Sequence, residues 1–401
     1  MLDELSQPEL NVTLPAGEAF RHHARDWLGS NVPPGFLADQ ADYRSPKLEA
    51  LKLWEAAMYR AGLAGITWPV AYGGHGLTLR EHLLANQEIG RLALPESVNS
   101  LGKELAGPII LAVGTEEQKR RYLPAMLRMD EIWCQGFSEP NAGSDLAGLR
   151  TRAVQDGDVW RVTGQKVWTS ASLYAQRCLL LARTGTVEDR HRGLALFALR
   201  MDSPGVTVRP IRQIDDKESF AEVFLDDVVI PQEDALGKPD EGWSAAIRVL
   251  AIERATNRMY RAWRFENELR HLVRACRSDA TLLAVLNDGG YRRRLADTVA
   301  DIDVIKGYVE PVVDMLLAGE EVGSRGSMMK LHWSEAHQRF TVLANEILTA
   351  APPGAGPEVV AAQMRFNDLY LRARAETIYA GTTEIQLGII ADRVLNLPKE
   401  R

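Results

Sequence analysis

Apolar residues recur at helical spacing towards both ends of the chain and fall into short β-rich runs between them. In the first third, Glu18 to Leu28 predicts a short helix closed by Gly29 and the Pro33-Pro34 pair. Ser45 opens a second helix, which carries Leu48, Leu51, Leu53, Trp54 and Met58 and stops near Gly62. Trp68-Pro69-Val70-Ala71-Tyr72-Gly73-Gly74-His75-Gly76 is crowded with breakers and predicts a loop. Helical spacing resumes at Thr78 and runs, through Glu116-Glu117-Gln118-Lys119, towards Met129.

The pattern changes at Ile132. Between there and Pro231 the runs predict strands at Ile132 to Phe137, Val159 to Val162, Cys178 to Ala182, Leu194 to Leu199, Val206 to Val208 and Val223 to Ile230. Turn residues separate them, as at Asp156-Gly157-Asp158 and Ser203-Pro204-Gly205. From Trp243 the helical period returns. Trp243, Ile247 and Leu250 mark one face of a long helix reaching Cys276. Further helices are expected over Tyr291 to Leu317, Ser327 to Thr349, Pro357 to Tyr379 and Thr383 to Leu395, with Pro352-Pro353-Gly354-Ala355-Gly356 as a loop. The fold class is α+β: an N-terminal helical domain over residues 1–130, a central β domain over 131–235 and a C-terminal helical domain over 236–401.

Composition narrows the function. The chain has 401 residues and a formal charge of -7, which argues against nucleic acid as the main partner but leaves room for a phosphate-bearing small molecule. No apolar run reaches the length of a membrane span, and Met1 to Leu14 is acidic and polar rather than signal-like, so a cytoplasmic protein is expected. Cys134, Cys178 and Cys276 are far apart in sequence, without metal-ligand spacing, and read as free buried thiols. His332 and His337 are five apart and do not share a helix face, so no metal site is expected.

Three segments carry candidate chemistry. Phe137-Ser138-Glu139-Pro140-Asn141-Ala142-Gly143-Ser144-Asp145 ends a strand in a turn whose N–H groups and hydroxyls can cradle a phosphate or an aromatic edge. Alone, it reads equally well as a tight connection. Gly164-Gln165-Lys166-Val167-Trp168-Thr169-Ser170 follows an expected hairpin and sets a large aromatic beside two hydroxyls; by propensity Trp168 belongs to a core more often than to a cofactor wall. Tyr379-Ala380-Gly381-Thr382-Thr383-Glu384-Ile385-Gln386 is a glycine turn opening a helix, whose N-terminus suits a pyrophosphate, though most helix starts bind only water.

Together and in order, with Trp68 to Gly76 and Val223 to Pro231, these segments resemble the acyl-CoA dehydrogenase family over Phe20 to Pro398. The resemblance implies the acyl-CoA dehydrogenase fold, with a C-terminal four-helix bundle. It implies bound FAD and the α,β-dehydrogenation of an acyl thioester. It sets Gln135, Phe137 and Ser138 against the flavin ring, with Gly143 and Ser144 by the pyrophosphate or the pantetheine. Trp168 covers one edge of the isoalloxazine, with Thr169 beside it, and Ser170 stands where a hydroxyl bonds the flavin near N5. Thr382 and Glu384 lie close to the FAD, while Tyr379, Gly381, Ser144 and Arg254 border the substrate.

The reaction needs a carboxylate for the α-proton and donors for the thioester carbonyl. Many relatives carry the base in a Tyr-Glu-Gly-Thr pattern, where this chain has Ala380. A smaller branch, including isovaleryl-CoA dehydrogenases, carries it on the long helix just before an Arg, which here is Glu253-Arg254. On a helix Glu253 neighbours Val249, Leu250, Thr256 and Asn257, none a cation, so burial would raise its pKa towards that of a working base. The bland alternative is a solvated or cross-bundle-paired Glu. The Ala380 backbone N–H can still serve the carbonyl. Departures fall on the adenosine half of the FAD site: the stretch at Arg277-Ser278-Asp279-Ala280-Thr281 lacks the family's Phe-Gly, and Pro352 to Gly356 lacks its glycine-rich turn. This style resembles actinobacterial dehydrogenases of sterol and unusual acyl catabolism. It implies an acyl-CoA substrate, an electron-transfer flavoprotein as acceptor, and either a homo-oligomer with Arg277 at a modified adenosine contact or a heterotetramer with a second dehydrogenase-like chain. A non-catalytic partner subunit, an oxidase and a carrier-protein-dependent enzyme are the rival expectations.

Overall fold

Helix α1 (Glu18–Asn31) buries Phe20, Ala24 and Leu28, one residue per turn on a single stripe. In the computed structural model, which describes residues 14–33, 48–92, 94–247, 260–320 and 322–398, that stripe packs on α3 (Leu79–Leu92) beside α2 (Leu48–Arg60). A π-helical turn at Gly102–Ala106 runs into α4 (Gly107–Val113), and α5 (Glu116–Leu127) opens on a reciprocal cap between Thr115 and Gln118. Trp68 and the Trp68-to-Gly76 loop lie against this group, with Gly74 N–H bonded to Pro69 O.

The central unit is one mixed sheet. Its strands are β1 (Trp133–Gly136), β2 (Arg152–Asp156), β3 (Val159–Ser170), β4 (Arg177–Arg183), β5 (Leu194–Arg200), β6 (Val206–Ile211), β7 (Phe220–Pro231) and β8 (Ala235–Leu236). They are ordered β6-β7-β3-β2-β4-β5-β8, with β1 parallel to β4. Strands β4 and β5 are buried on both faces, which explains their unbroken apolar runs. Strand β2 was not expected: four of its five residues are exposed, so it carries no apolar alternation. Strands β2 and β3 form the expected hairpin about Gly157-Asp158, and β3 runs on through Ser170, so the second motif is the far end of its second strand. Cys134 and Cys178, distant in sequence, are register partners on β1 and β4 and remain free, buried thiols.

The C-terminal helices are α6 (Arg261–Arg277), α7 (Ala280–Asn287), α8 (Gly289–Leu317), α9 (Arg325–Thr349), α10 (Pro357–Ala373) and α11 (Thr383–Arg393). Helix α6 packs on α8 and α10, and α9 closes the ring against both, a four-helix bundle around Phe265, Leu272, Val309, Phe340, Ala344 and Phe366. Residues 242–247 are helical, but 248–259, and with them Glu253 and Arg254, lie outside the described residues. Two expectations change. The stretch after Arg277 is a short helix capped by Asp279, which accepts from Thr281 and Leu282 N–H. Helix α10 ends at Ala373 rather than Tyr379, because the chain must tighten into turns before the bend at Ala380. Helix α3 also approaches α6 so closely that a Cβ on Gly90 would stand 2.5 Å from Tyr260 O.

Candidate functional site: a strand bulge, a turn and a buried polar cavity

The first two motifs are tied together by a buried ion pair. Lys166 on β3, fully buried, reaches Glu139 Oε1 at 2.8 Å and Phe137 O at 3.0 Å. Glu139 also accepts from the N–H groups of Arg150 (2.6 Å) and Thr151 (2.8 Å). Burial pushes the Glu139 pKa up, but Lys166 and these bonds outweigh it and hold the carboxyl below its ordinary value. Paired hydrogen bonds between Glu139 and Ala142 close the turn, and Val167 N–H bonds Ser138 O at 2.9 Å. Gln135 and Ser138 are half-buried, Phe137 is buried, and Gly143 and Ser144 stand exposed beyond the turn.

The ladder between β3 and β7 slips between Lys166 and Thr169. This bulge gives Trp168 a φ of 59° and turns its ring outward, 58% exposed, edge-on to Phe220 at 6.2 Å between centroids. The core placement favoured by propensity does not hold: the local backbone, not hydrophobicity, decides where the indole points. Thr169 turns inward, with a buried Oγ1 that meets no hydrogen-bond partner among the described residues. Ser170, half-buried, ends the strand.

The third motif stands on the bundle. Ala380 (φ 53°) and Gly381 (φ 93°) are consecutive left-handed residues. A Cβ on Gly381 would meet Gln386 Nε2 at 2.4 Å, so the bend requires glycine there. Gln386 donates to Ala380 O at 2.8 Å, and Lys330 Nζ donates to Gly381 O at 2.7 Å. Both carbonyls are therefore tied to side chains, and among the described residues the Ala380 N–H meets no acceptor. Thr382 caps α11 by accepting from Ile385 N–H, and Glu384 lies exposed in its first turn, its pKa lowered by its own backbone N–H and by Thr382. No hydrogen bond joins this segment to the two β motifs among the described residues. Arg277 is exposed at the far end of α6, roughly 24 Å along the helix axis from Arg261.

Below Tyr379 the bundle holds a polar network that the sequence did not reveal. His337 on α9 bonds Glu376 Oε2 at 2.7 Å and Glu268 Oε2 at 2.9 Å. Burial would lower its pKa, but the two carboxylates more than offset this and lift it to about 10. Arg261 on α6 lies over the Trp333 ring at 3.7 Å and donates to Tyr379 Oη at 3.3 Å. The charged residues from Arg261 to Glu376 carry no shared spacing; only the meeting of α6, α9 and the turns after α10 brings them together.

Family comparison agrees with this architecture throughout. The model for the N-terminal domain of acyl-CoA dehydrogenases matches residues 15–130, that for the middle domain 134–228 and that for the C-terminal domain 240–395. The acyl-CoA dehydrogenase IpdE1 of Mycobacterium tuberculosis is 36% identical over 391 residues, 96% of this chain and 98% of its own length. Among solved structures, the Tcur3481-Tcur3483 steroid ACAD superposes with a TM-score of 0.82 at 25% identity, covering 97% of this chain and 100% of that one. The ChsE4-ChsE5 complex of Mycobacterium tuberculosis superposes with a TM-score of 0.80 at 26% identity, covering 96% and 98%. With sequence, domain order and three-dimensional path in agreement over nearly the whole length, the chain belongs to the acyl-CoA dehydrogenase family.

Proposed function

We propose that this FAD-dependent acyl-CoA dehydrogenase removes the substrate α-proton with Glu253 and holds the thioester carbonyl on the Ala380 N–H. The observation that carries the reading is the turn at Ala380. It offers a backbone donor that meets no acceptor among the described residues, and position 380 carries no carboxylate, so in this reading the base comes from another segment. Glu253, followed by Arg254, supplies it, and both lie outside the described residues. Gln386 and Lys330 hold the bend that presents the donor by bonding the two carbonyls that follow it, Ala380 O and Gly381 O.

The β motifs fit a planar ring. Trp168, exposed, and Ser170, half-buried, lie two residues apart at the end of β3, and the Lys166–Glu139 pair and the Val167–Ser138 bond hold Phe137 and Ser138 against the same strand. Gln135, Phe137, Ser138, Trp168, Thr169 and Ser170 would hold the isoalloxazine, with Gly143, Ser144, Thr382 and Glu384 towards the phosphates. FAD held by these residues would supply the acceptor for the Cβ hydride. Tyr379, Gly381, Ser144 and Arg254 border the thioester. In this reading the three units divide near residues 130 and 235, and the buried free thiols suit a cytoplasmic setting with an electron-transfer flavoprotein as acceptor.

A partner chain completes the adenosine half of the site. Arg277 lies exposed at the end of α6, and the stretch beyond it, which lacks the family's Phe-Gly, forms the short helix α7. The similar ChsE4-ChsE5 complex pairs two chains, ChsE4 and ChsE5. FAD stoichiometry and native mass, measured with and without a second dehydrogenase-like chain, test this part; one tightly held FAD per chain in an active homo-oligomer would exclude it. For the base, Glu253→Gln is expected to retain FAD and to slow flavin reduction by acyl-CoA about 10²- to 10⁴-fold. Bleaching at the wild-type rate would remove Glu253 from the mechanism.

A further inference from the structure

A cavity of about 40 Å³, room for two or three water-sized groups, lies under Tyr379 where the start of α6 meets α9 and the end of α10. Its charges are almost all spoken for. Glu96 is bonded by Arg264 (3.2 Å) and Arg372 (2.9 Å), while Glu268 and Glu376 share the protonated His337. Arg261 is the exception. No carboxylate pairs with it among the described residues. Among the described residues its Nη2 reaches only the Tyr379 hydroxyl at 3.3 Å and its buried Nη1 has no hydrogen-bond partner, while its plane lies on Trp333. A buried guanidinium N–H without an acceptor is costly, and a cation facing a polar void is a ready donor to an incoming oxygen.

Tyr379 adjoins Ala380, so the cavity sits one residue from the backbone donor assigned to the thioester. We propose that the cavity receives the distal end of the acyl group and that Arg261 Nη1 hydrogen-bonds an oxygen there. The preferred substrates are then acyl-CoAs bearing a carbonyl or carboxylate oxygen remote from the thioester, rather than plain alkyl chains. This rests on the acyl-CoA reading of the site but not on the identity of the base. Leu369 and Phe265, which line the same space, give the carbon skeleton its apolar contact.

The test is calorimetric titration of the holoenzyme with medium-chain 2-enoyl-CoAs of equal length that end in a methyl group, a methyl ketone or a carboxylate. Wild type should bind at least one oxygenated compound about tenfold or more tightly than the methyl compound, and the two oxygenated arms decide between carbonyl and carboxylate. In Arg261→Gln that ratio should fall to within about threefold of one, with Arg261→Lys between. A purely structural Arg261 would shift all three affinities alike and leave the ratio unchanged, which overturns the proposal. So does a wild type without preference, whatever the variants do. Because the readout is binding, a holoenzyme that follows this rule yet never bleaches with saturated acyl-CoAs would refute the dehydrogenation mechanism while leaving the Arg261 site standing.

Discussion

Trp168 and Gly381 show how single residues serve this site through backbone conformation. An indole left 58% exposed contributes little to folding, and its left-handed φ adds a small strain that the bulge imposes. Trp168→Ala should therefore change the unfolding free energy of the FAD-free protein by less than about 1 kcal/mol while lowering FAD retention on gel filtration. A large loss of apoprotein stability with FAD held normally would reverse that assignment. At the other segment, Gly381→Ala places a Cβ 2.4 Å from Gln386 Nε2 at φ 93°, and should cost about 1–3 kcal/mol in chemical denaturation. Ala380→Gly relieves a left-handed alanine and should be neutral or stabilising by about 1 kcal/mol. The two changes, one residue apart, are expected to differ in sign. The segment 379–386 was readable as a turn into a helix from its glycine and threonines, but the left-handed φ of Ala380 was not, since alanine seldom adopts it.

At the scale of elements, the Lys166–Glu139 pair couples the end of β1 to the bulge of β3. Lys166→Met would leave a mostly buried carboxylate with two backbone donors and no bonded cation, only the more distant charge of Arg183. A loss of about 3 kcal/mol or more is expected, measured by urea unfolding of the apoprotein. Lys166→Met with Glu139→Gln should recover part of it, because the stranded charge is gone. No recovery in the double variant would mean that the pair acts through packing alone. Both partners stood in the motifs singled out by sequence, yet nothing in a linear pattern pairs residues 27 positions apart in a turn and a strand. Strand β2 escaped sequence reading because four of its five residues are exposed and it carries no apolar alternation, and α7 because its eight residues follow α6 almost without a gap. The described part of the long helix, Arg261–Arg277, agrees with the periodicity because buried Phe265, Glu268, Leu272, Ala275 and Cys276 keep helical spacing.

Across the whole molecule, the buried charges under Tyr379 link protonation to stability. His337 faces Glu268 and Arg264 from α6, Glu376 after α10, and a nearby Arg365 on α10 that acts on Glu268. Its pKa is about 10 in the folded protein and about 6.5 unfolded. Below pH 6.5 both states carry the proton and the network stabilises fully. As pH rises from there towards 10, the unfolded state gives up its proton first and stability declines, by an amount that flattens above the folded value. Thermal unfolding at pH 6, 8 and 9.5 should show this decline, and His337→Gln should remove its pH dependence in that window while lowering stability at pH 6. An equal slope in both proteins would assign the decline to other groups.

The order of helices, sheet and helices followed from the sequence alone, because apolar spacing is set by burial of one face of each element and survives any detail of packing. So did the family and the three motif segments, whose residues lie close together along the chain. Only the tertiary structure decided that Trp168 faces outward, that Lys166 reaches Glu139, and that Arg261, His337 and Glu376 meet under Tyr379. Each depends on the register slip of a strand or the crossing of helices, and neither leaves a local signature. A long-range contact is selected by the free energy of the whole packed arrangement, which no window of neighbouring residues contains.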